Sequence, residues 1–456
     1  MNRRQLLKSA ASLPLLAVGA GLPQVASALS TVEYSLAAQV GPAQIANMRT
    51  DQAWSYGQDF LSGQPLRVPL GQDVQITAIN GLGEPTSIHW HGLRVPPEMD
   101  GSNPMMEGNG AHLIASGGQR TYAFTPKDPG LYWFHAHNRS WNQVGRGLYG
   151  ALLVEHGQEP DLNDHILLLD DWPTRWGGLQ FSQLGNAHDW SHAGHVGNVA
   201  TVNAKEIETI QFQRGKPLRL RLLNTATARV FTPQISPAAD VQAYAVALDG
   251  YDIAPRPISG DWFALGPGQR TDLILDTQNL LDGAKLDLSG GATLRLEEVE
   301  SGNQGLSLSN ALAAISAYQP IELMPERPNQ TRDLVMAGGA MGGMRMMGDG
   351  QFWAFGAPGQ RSGAPLFSGR LGETVQLNLR NDTRWVHTIH WHGQHALVTQ
   401  SSRLLERQPA LRDGVTLAPG ETSVVQFRLA EPGQWLLHCH MLGHQASGMS
   451  TYFEIA

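Results

Sequence analysis

Four His-x-His pairs punctuate the chain: His89/His91, His135/His137, His390/His392 and His438/His440. With 17 histidines in 456 residues, chance alone supplies about 0.6 such pairs, so the excess needs a cause. On a strand, residues i and i+2 point to the same face. Each pair therefore offers two imidazoles side by side, a geometry suited to a metal ion. The chain has one cysteine, Cys439, and it lies inside the last pair. If His438 and His440 face one way, Cys439 faces the other, and one strand serves two sites on opposite faces. His387 is likewise out of step with His390 and His392, so Cys439 and His387 can share the inner side of one unit. His444 and Met449 follow in the loop after the strand.

Two histidines, one thiolate and a weak thioether form the ligand set of a type 1 electron-transfer copper. Zinc is the alternative, because two His and one Cys also surround catalytic zinc. The methionine and the eight further histidines nearby favour copper. Those eight imidazoles cannot all be filled by one metal. Four come from the N-terminal part and four from the C-terminal part, so they read as a cluster pinched between two units. Histidine-rich coordination with open positions suits copper that binds oxygen. Scattered surface histidines or structural zinc do not account for pairs at equivalent places in a repeat.

The elements that must position these residues are repeated. Gly71 to Asn80 alternates polar and apolar residues and leads to His89-Trp-His-Gly92; Gly372 to Asn381 does the same and leads to His390-Trp-His-Gly393. After each come a Gly-flanked turn, further alternation (Arg120 to Thr125; Ser423 to Arg428), then Asp128-Pro-Gly130 or Glu431-Pro-Gly433 and the second His-x-His. The separations agree, 44 residues from His91 to His135 and 46 from His392 to His438. A weaker third copy, with no His-x-His, lies between them: Leu218 to Asn224 has the strand alternation, and Leu265 to Thr271 matches the turn at Leu417 to Thr422. Abundant Gly (51) and Pro (27) and dominant period-two patterns predict an all-β chain of three β-sandwich units. The expected boundaries lie near 158 and 320, giving units at 29–157, 158–320 and 321–456, the middle one a metal-free spacer. The best helix candidate is Gln304 to Ala317.

Arg3, Arg4 and the following Gln5, Leu6, Leu7 and Lys8 read as a twin-arginine export signal over residues 1–28, with Ala26-Ser27-Ala28 as the cleavage site. The expected location is the periplasm, with no stable membrane insertion after cleavage. Without Arg3, Arg4 and Lys8 the 32 basic residues become 29 against 40 acidic ones, a formal charge of −11. That balance argues against nucleic acid as a partner. A lone thiol in an oxidising compartment is a liability unless it is buried or ligates a metal.

The motifs His89-x-His-Gly, His135-x-His, His387-x-x-His-x-His and His438-Cys-His-x-x-x-His-x-x-x-x-Met resemble the complete set of the multicopper oxidase family, over essentially the whole mature chain. The resemblance implies three consecutive cupredoxin-like Greek-key domains and four copper ions. His387, Cys439 and His444 would bind type 1 copper, with Met449 axial. His89 and His390 would hold type 2 copper; His91, His135, His137, His392, His438 and His440 would hold the type 3 pair. The implied activity is one-electron oxidation of a small donor, such as Cu(I), another metal ion or a phenol, coupled to four-electron reduction of dioxygen to water. Asp100 sits where the family places an acid near the cluster; otherwise it is a turn residue of Asp100-Gly101. The family often has a carboxylate directly after the second type 1 histidine, where this chain has Gln445, which cannot titrate.

Other features are less specific. Met336 to Met347 holds five of the 13 methionines and reads either as soft ligands for Cu(I) or as a flexible connector; Met105 and Met106 are ambiguous in the same way. His188, Asp189, His192 and His195 are spaced for a helix face, but nearby glycines favour a loop. His112, His156, His165 and His395 have no partner pattern and are expected not to be ligands. Two rival functions share the fold features. A non-enzymatic envelope or cell-division scaffold would have lost the ligands, all of which are present here. A copper nitrite reductase uses two domains and has no need of eight cluster histidines.

Overall fold

Period-two alternation becomes strand wherever the sequence carries it. Val74–Asn80 buries Val74, Ile76 and Ala78 and exposes Gln75 and Ile79; Thr422–Arg428 buries Ser423, Val425 and Phe427. The computed structural model describes residues 31–57, 59–102, 112–157, 160–234, 241–258, 263–300, 306–315, 320–340, 350–356, 364–403, 405 and 407–456. Residues 1–28, expected to be an export signal, lie outside these residues, and among the described ones no helix is long and apolar enough to cross a membrane.

The strands form three successive two-sheet units. In the first, the sheet Met48–Ser55, Val32–Ile45, Val74–Asn80, Gln119–Phe124 packs on the sheet Leu66–Pro69, Tyr149–Glu155, Gly130–Ala136, Ile88–His91 through Leu36, Ile76, Tyr122, Trp90, Phe134 and Leu152. The middle unit has sheets of six and three strands, and the third has sheets of six and five. The three alternating segments occupy the same place in each. Val74–Asn80, Leu218–Asn224 and Thr374–Asn381 each run parallel to the unit's first strand and antiparallel to the strand after the Gly-rich turn. The middle copy is thus a full structural equivalent. Its sequence alternation does not become an alternation of burial, because all of Leu218–Asn224 is buried, with Arg219 and Arg221 neutralised by Asp272 and Asp164.

Each of these strands ends in a buried asparagine that clasps the following turn. Asn80 Nδ2 donates to the Glu84 and Ile114 carbonyls, Asn224 Nδ2 to Arg229 and Leu265, and Asn381 Nδ2 to Trp385 and Leu417. Each Oδ1 accepts the N–H two residues on, at Leu82, Ala226 and Thr383, an Asx-turn arrangement. In the outer two units this clasp fixes the chain just before the histidine strands Ile88–His91 and His387–Trp391. The expected helix forms over Leu308–Ala314, capped by Ser307; residues 301–305 and 316–319 lie outside the described residues.

Candidate metal centre

Strand pairing sets the histidines. Ile88–His91 lies antiparallel to Gly130–Ala136 with His89 opposite His135. His387–Trp391 lies antiparallel to Gly433–Cys439 with His390 opposite His438 and Ile389 opposite Cys439. Parity then separates two sites. Cys439 turns into the core of the third unit, among Trp391, Val415 and Met449, and its ligand atom lies within 4.8 Å of those of His387 and His444. Met449 is fully buried, and its carbonyl accepts the Cys439 N–H at 3.0 Å.

On the other face the eight paired histidines converge between the first and third units. Their ligand atoms fall into groups within 4.8 Å: His89, His91 and His390; His91, His135 and His440; His137, His392 and His438. The last two groups are related by the repeat. His91 and His135 from the first unit take His440 from the third, and His392 and His438 from the third take His137 from the first. His89 and its counterpart His390 face each other, Nε2 to Nε2, at 3.4 Å. Two copies of one surface packed about a local twofold axis must exchange ligands in this way.

Hydrogen bonds behind the rings fix which nitrogen faces inward. His89 Nδ1–H donates to the Asp100 carbonyl at 3.0 Å and His390 Nδ1–H to the Asp413 carbonyl at 2.7 Å, so the two facing Nε2 atoms both carry lone pairs. His438 Nδ1–H donates to the Cys439 carbonyl and His392 Nδ1–H to Asp100 Oδ2 at 2.9 Å, leaving their Nε2 lone pairs opposed at 3.1 Å. Thr383 Oγ1, which donates to Asn381 Oδ1, accepts His387 Nε2–H at 2.8 Å. His444 Nε2–H donates to the His192 carbonyl at 2.8 Å. The two Nδ1 lone pairs are therefore opposed at 3.0 Å, with Cys439 Sγ 3.6 and 3.8 Å away. Neutral imidazoles so arranged repel unless a cation lies between them. The buried ring nitrogens of His91 and His440, and Nε2 of His135 and His137, have no hydrogen-bond partner either. The donor set, imidazoles with one thiolate, fits copper.

Burial holds the rings neutral. It lowers His91, His135, His137, His387, His390 and His438 well below the ordinary histidine range, His392 to about 4, and His440 and His444 to about 3. Burial also pushes the Cys439 thiol up to about 12, so its thiolate form needs a cation beside it. Asp100 is buried, 3.2 Å from His89 Nδ1 and hydrogen-bonded to His392. Burial pushes its carboxyl up, but His392 and His89 more than offset this and hold it well below the usual range. Gly101 permits the approach: its φ is +75°, and a Cβ there would lie 1.7 Å from the Ile88 carbonyl oxygen.

The middle unit, expected to be a spacer, touches both sites. Gly268 packs so closely that a Cβ would meet His91 Cε1 at 2.7 Å and His440 Cδ2 at 3.2 Å. The Arg270 guanidinium binds both Asp413 oxygens at 2.9 and 2.6 Å and the Leu131 carbonyl of the first unit. Sequence reasoning missed Asp413, whose carbonyl orients His390, and His395, which lies between Tyr251 at 3.1 Å and Asp413 at 3.7 Å. The methionine segment is corrected in part. Met336 is a fully buried core residue of strand Gln330–Gly338, because it continues that strand's inward positions after Leu334, so it is no surface ligand. Met341, Met344, Met346 and Met347, with Met105 and Met106, lie outside the described residues. The segment expected to be a loop around His188 holds a short helix, Ala187–Ser191, because Asn186 caps it.

Comparison with known proteins agrees with this geometry. Multicopper oxidase family models match residues 38–159 and 340–456. The multicopper oxidase MmcO of Mycobacterium tuberculosis is 25% identical over 452 residues, covering 88% of this chain and 82% of that protein. The iron transport multicopper oxidase fetC of Epichloe festucae is 26% identical, covering 84% and 70%. The crystal structure of a multi-copper oxidase from Pseudomonas thermotolerans superposes with a TM-score of 0.75 at 28% identity, covering 94% of this chain and all of that one. Matched over both of its histidine-bearing units, this chain belongs to the multicopper oxidase family and couples one-electron oxidation of a donor to the four-electron reduction of dioxygen to water.

Proposed function

We propose that the chain holds four copper ions and oxidises a metal ion, Cu(I) first, or a phenol. His387, Cys439, His444 and Met449 would hold type 1 copper, and His89 and His390 would hold type 2 copper. The type 3 pair belongs to His91, His135 and His440 on one side and His137, His392 and His438 on the other. When bound, copper supplies one-electron acceptance from the donor and four-electron reduction of dioxygen. The protein supplies position and insulation. Cys439 is joined through the backbone to His438 and His440, so the thiolate site and the cluster share one short covalent connection. Asp100 orients His89 through its carbonyl and His392 through its carboxylate. Gln445 accepts a hydrogen bond from Ser140 at 3.4 Å and cannot titrate, unlike the carboxylate that the family often has at this position. Export by the twin-arginine route to the periplasm completes this reading.

The observation that carries it is the set of opposed lone pairs at 3.0, 3.1 and 3.4 Å, each held by a hydrogen bond on the far side of the ring. Copper-loaded protein is expected to bind about four equivalents, to be intensely blue, and to consume oxygen with each donor class. Cys439→Ser is expected to lose the blue band and turnover while keeping the cluster ligands. A colourless wild-type protein with far fewer copper ions, or a Cys439→Ser variant as fast as its parent, overturns the assignment. Replacing Met341, Met344, Met346 and Met347 is expected to slow Cu(I) oxidation more than phenol oxidation; equal losses remove the segment from Cu(I) handling.

A further inference from the structure

One glycine turn recurs in all three units, and in the middle unit alone it meets the cluster. Gly117, Gly268 and Gly420 are equivalent: each N–H donates to the carbonyl of its unit's clasp asparagine, Asn80, Asn224 or Asn381. Each has a left-handed φ, +75°, +84° and +77°. A Cβ added at Gly117 or Gly420 would have nothing within 4 Å, whereas one at Gly268 would strike His91 Cε1 at 2.7 Å and His440 Cδ2 at 3.2 Å. Trp133 packs on the same group of rings, its centroid 5.2, 4.2 and 5.5 Å from those of His91, His135 and His440. The middle turn is pinned to the third unit and cannot easily give way. Gln269 Oε1 accepts from Gly266 N–H and from Thr416 Oγ1, both at 2.8 Å, and its Nε2 donates to the Gly414 carbonyl at 3.2 Å. The middle unit also breaks the twofold match between the two groups of three histidines. Asp100-Gly101 and Asp413-Gly414 are equivalent, since their aspartate carbonyls orient His89 and His390. The Asp100 carboxylate then binds His392 at 2.9 Å. The Asp413 carboxylate is held at both oxygens by Arg270 and stays 3.5 Å from His91 Nε2, so neither His91 nitrogen makes a hydrogen bond.

We propose that the middle unit positions one half of the cluster: Gly268 sets the His91 and His440 rings by contact, where the equivalent half is set by the carboxylate of Asp100. This rests on the assignment of the eight paired histidines to copper. A hydrogen bond behind a ligand ring fixes its orientation. Where that bond is missing, close packing against a pinned turn does the same work, because a dense interior transmits a small displacement instead of absorbing it. Cε1 lies between the two ring nitrogens, so a push there swings whichever nitrogen faces the metal. Glycine is therefore required at 268 for space as well as for its φ, unlike its counterparts at 117 and 420. The site of His91, His135 and His440 answers to the middle unit; the site of His137, His392 and His438 does not. Gly268 is a positioning residue, and the middle unit is a working part of the cluster's scaffold.

The test compares Gly268→Ala with Gly117→Ala and Gly420→Ala in copper-loaded full-length protein. All three place a side chain at a left-handed φ, but only Gly268→Ala reaches an imidazole. Both controls are expected to keep wild-type copper content and a wild-type electron paramagnetic resonance spectrum. Gly268→Ala is expected to keep the blue band and its anaerobic bleaching by a donor. Copper affinity at one site is expected to weaken on the order of tenfold to a hundredfold, so the variant holds about three copper ions instead of about four. Neighbouring Cu(II) spins in a pair cancel and a single one does not, so a new resonance signal appears, and reoxidation of the reduced protein by dioxygen slows. If Gly268→Ala does not fold while both controls do, Gln269→Met decides. It frees the turn from Gly414 and Thr416 without adding an atom beside the rings, and the same one-site deficit is expected in milder form; an unaffected Gln269→Met protein then overturns the proposal. A folded Gly268→Ala protein that matches its controls in copper content and resonance overturns it too, as does a deficit spread evenly over the sites. Fully loaded wild-type protein with an unaffected Gly268→Ala variant removes this proposal alone; wild-type protein that takes up no copper removes the copper assignment and this proposal with it.

Discussion

Replacing Arg270 tests whether the middle unit locks the cluster together. Its guanidinium is fully buried and makes five hydrogen bonds: two to the Asp413 carboxylate and one each to the carbonyls of Leu131, Gly268 and Asp249. These partners come from all three units. Arg270→Met keeps much of the volume but strands the Asp413 carboxylate, which is itself 1% exposed. Removing one partner of a buried pair costs about 3–5 kcal/mol, a large share of the roughly 5–15 kcal/mol that holds a domain folded. The pH dependence is a sharper check. In the native protein burial pushes Asp413 up, but Arg270, then His395 and His390, hold it well below the usual carboxylate range. A depressed carboxyl contributes stability above its unfolded pKa of about 3.9, lost only as pH falls through the much lower folded value. Without Arg270 the burial effect dominates, the folded pKa rises, and the carboxylate becomes a cost at neutral pH that fades near pH 4. Urea unfolding of the copper-free protein, followed by tryptophan fluorescence at both pH values, is expected to show the deficit at pH 7 and a smaller one at pH 4. The type 2 electron paramagnetic resonance signal of the loaded variant is expected to change, because the Asp413 carbonyl orients His390. A deficit below about 1 kcal/mol, or one equal at both pH values, refutes the argument.

Asp170→Asn is expected to stabilise the protein. Burial, then Asp171, pushes the Asp170 carboxyl well above its usual range despite the hydrogen bond from Tyr149. A raised carboxyl costs stability above its unfolded pKa, so the variant gains about 1–3 kcal/mol in thermal unfolding at pH 8 and nothing at pH 4; a loss at pH 8 contradicts this. Asn381→Ala leaves the Leu417 carbonyl and the Thr383 N–H without the asparagine, while the Trp385 carbonyl keeps the Thr383 hydroxyl, for about 2–4 kcal/mol. It also loosens Thr383 behind His387, so the blue band is expected to weaken; normal colour and stability would show that the clasp is dispensable.

Much of the site is legible in the sequence, for a geometric reason. Strand side chains alternate strictly, so Cys439 between His438 and His440 must face away from them, and His387 must part from His390 and His392. The split of six histidines into two groups of three was not legible, because it depends on how the first and third units approach each other. Asp413 and Arg270 were missed because they meet across 143 residues, although the Arg270 turn was visible as a repeat. Two signals were present and unused. Met336 keeps step with the buried Leu334, which marks a core position, and Asn186 three residues before Asp189 is a helix-capping pattern.

The repeat also explains why the thiolate site exists once. Laid on the third unit by its His-x-His pairs, the first unit has Thr86 where His387 stands, Ala136 for Cys439 and Trp141 for His444. Thr86 and Ala136 are buried; Thr86 donates to Gln143 Oε1 at 2.7 Å, and Ala136 joins the apolar core with Trp90 and Phe134. The pocket is therefore filled by packing in one unit and by ligands in the other, on the same strands. The cluster needs both units, because each supplies the ligands its twofold-related copy lacks. The thiolate site draws His387, Cys439, His444 and Met449 from the third unit alone, so a second copy can be absent without touching the cluster. The retained copy lies where His444 meets the His192 carbonyl, so the middle unit supplies the third unit with the hydrogen bond that holds its second imidazole.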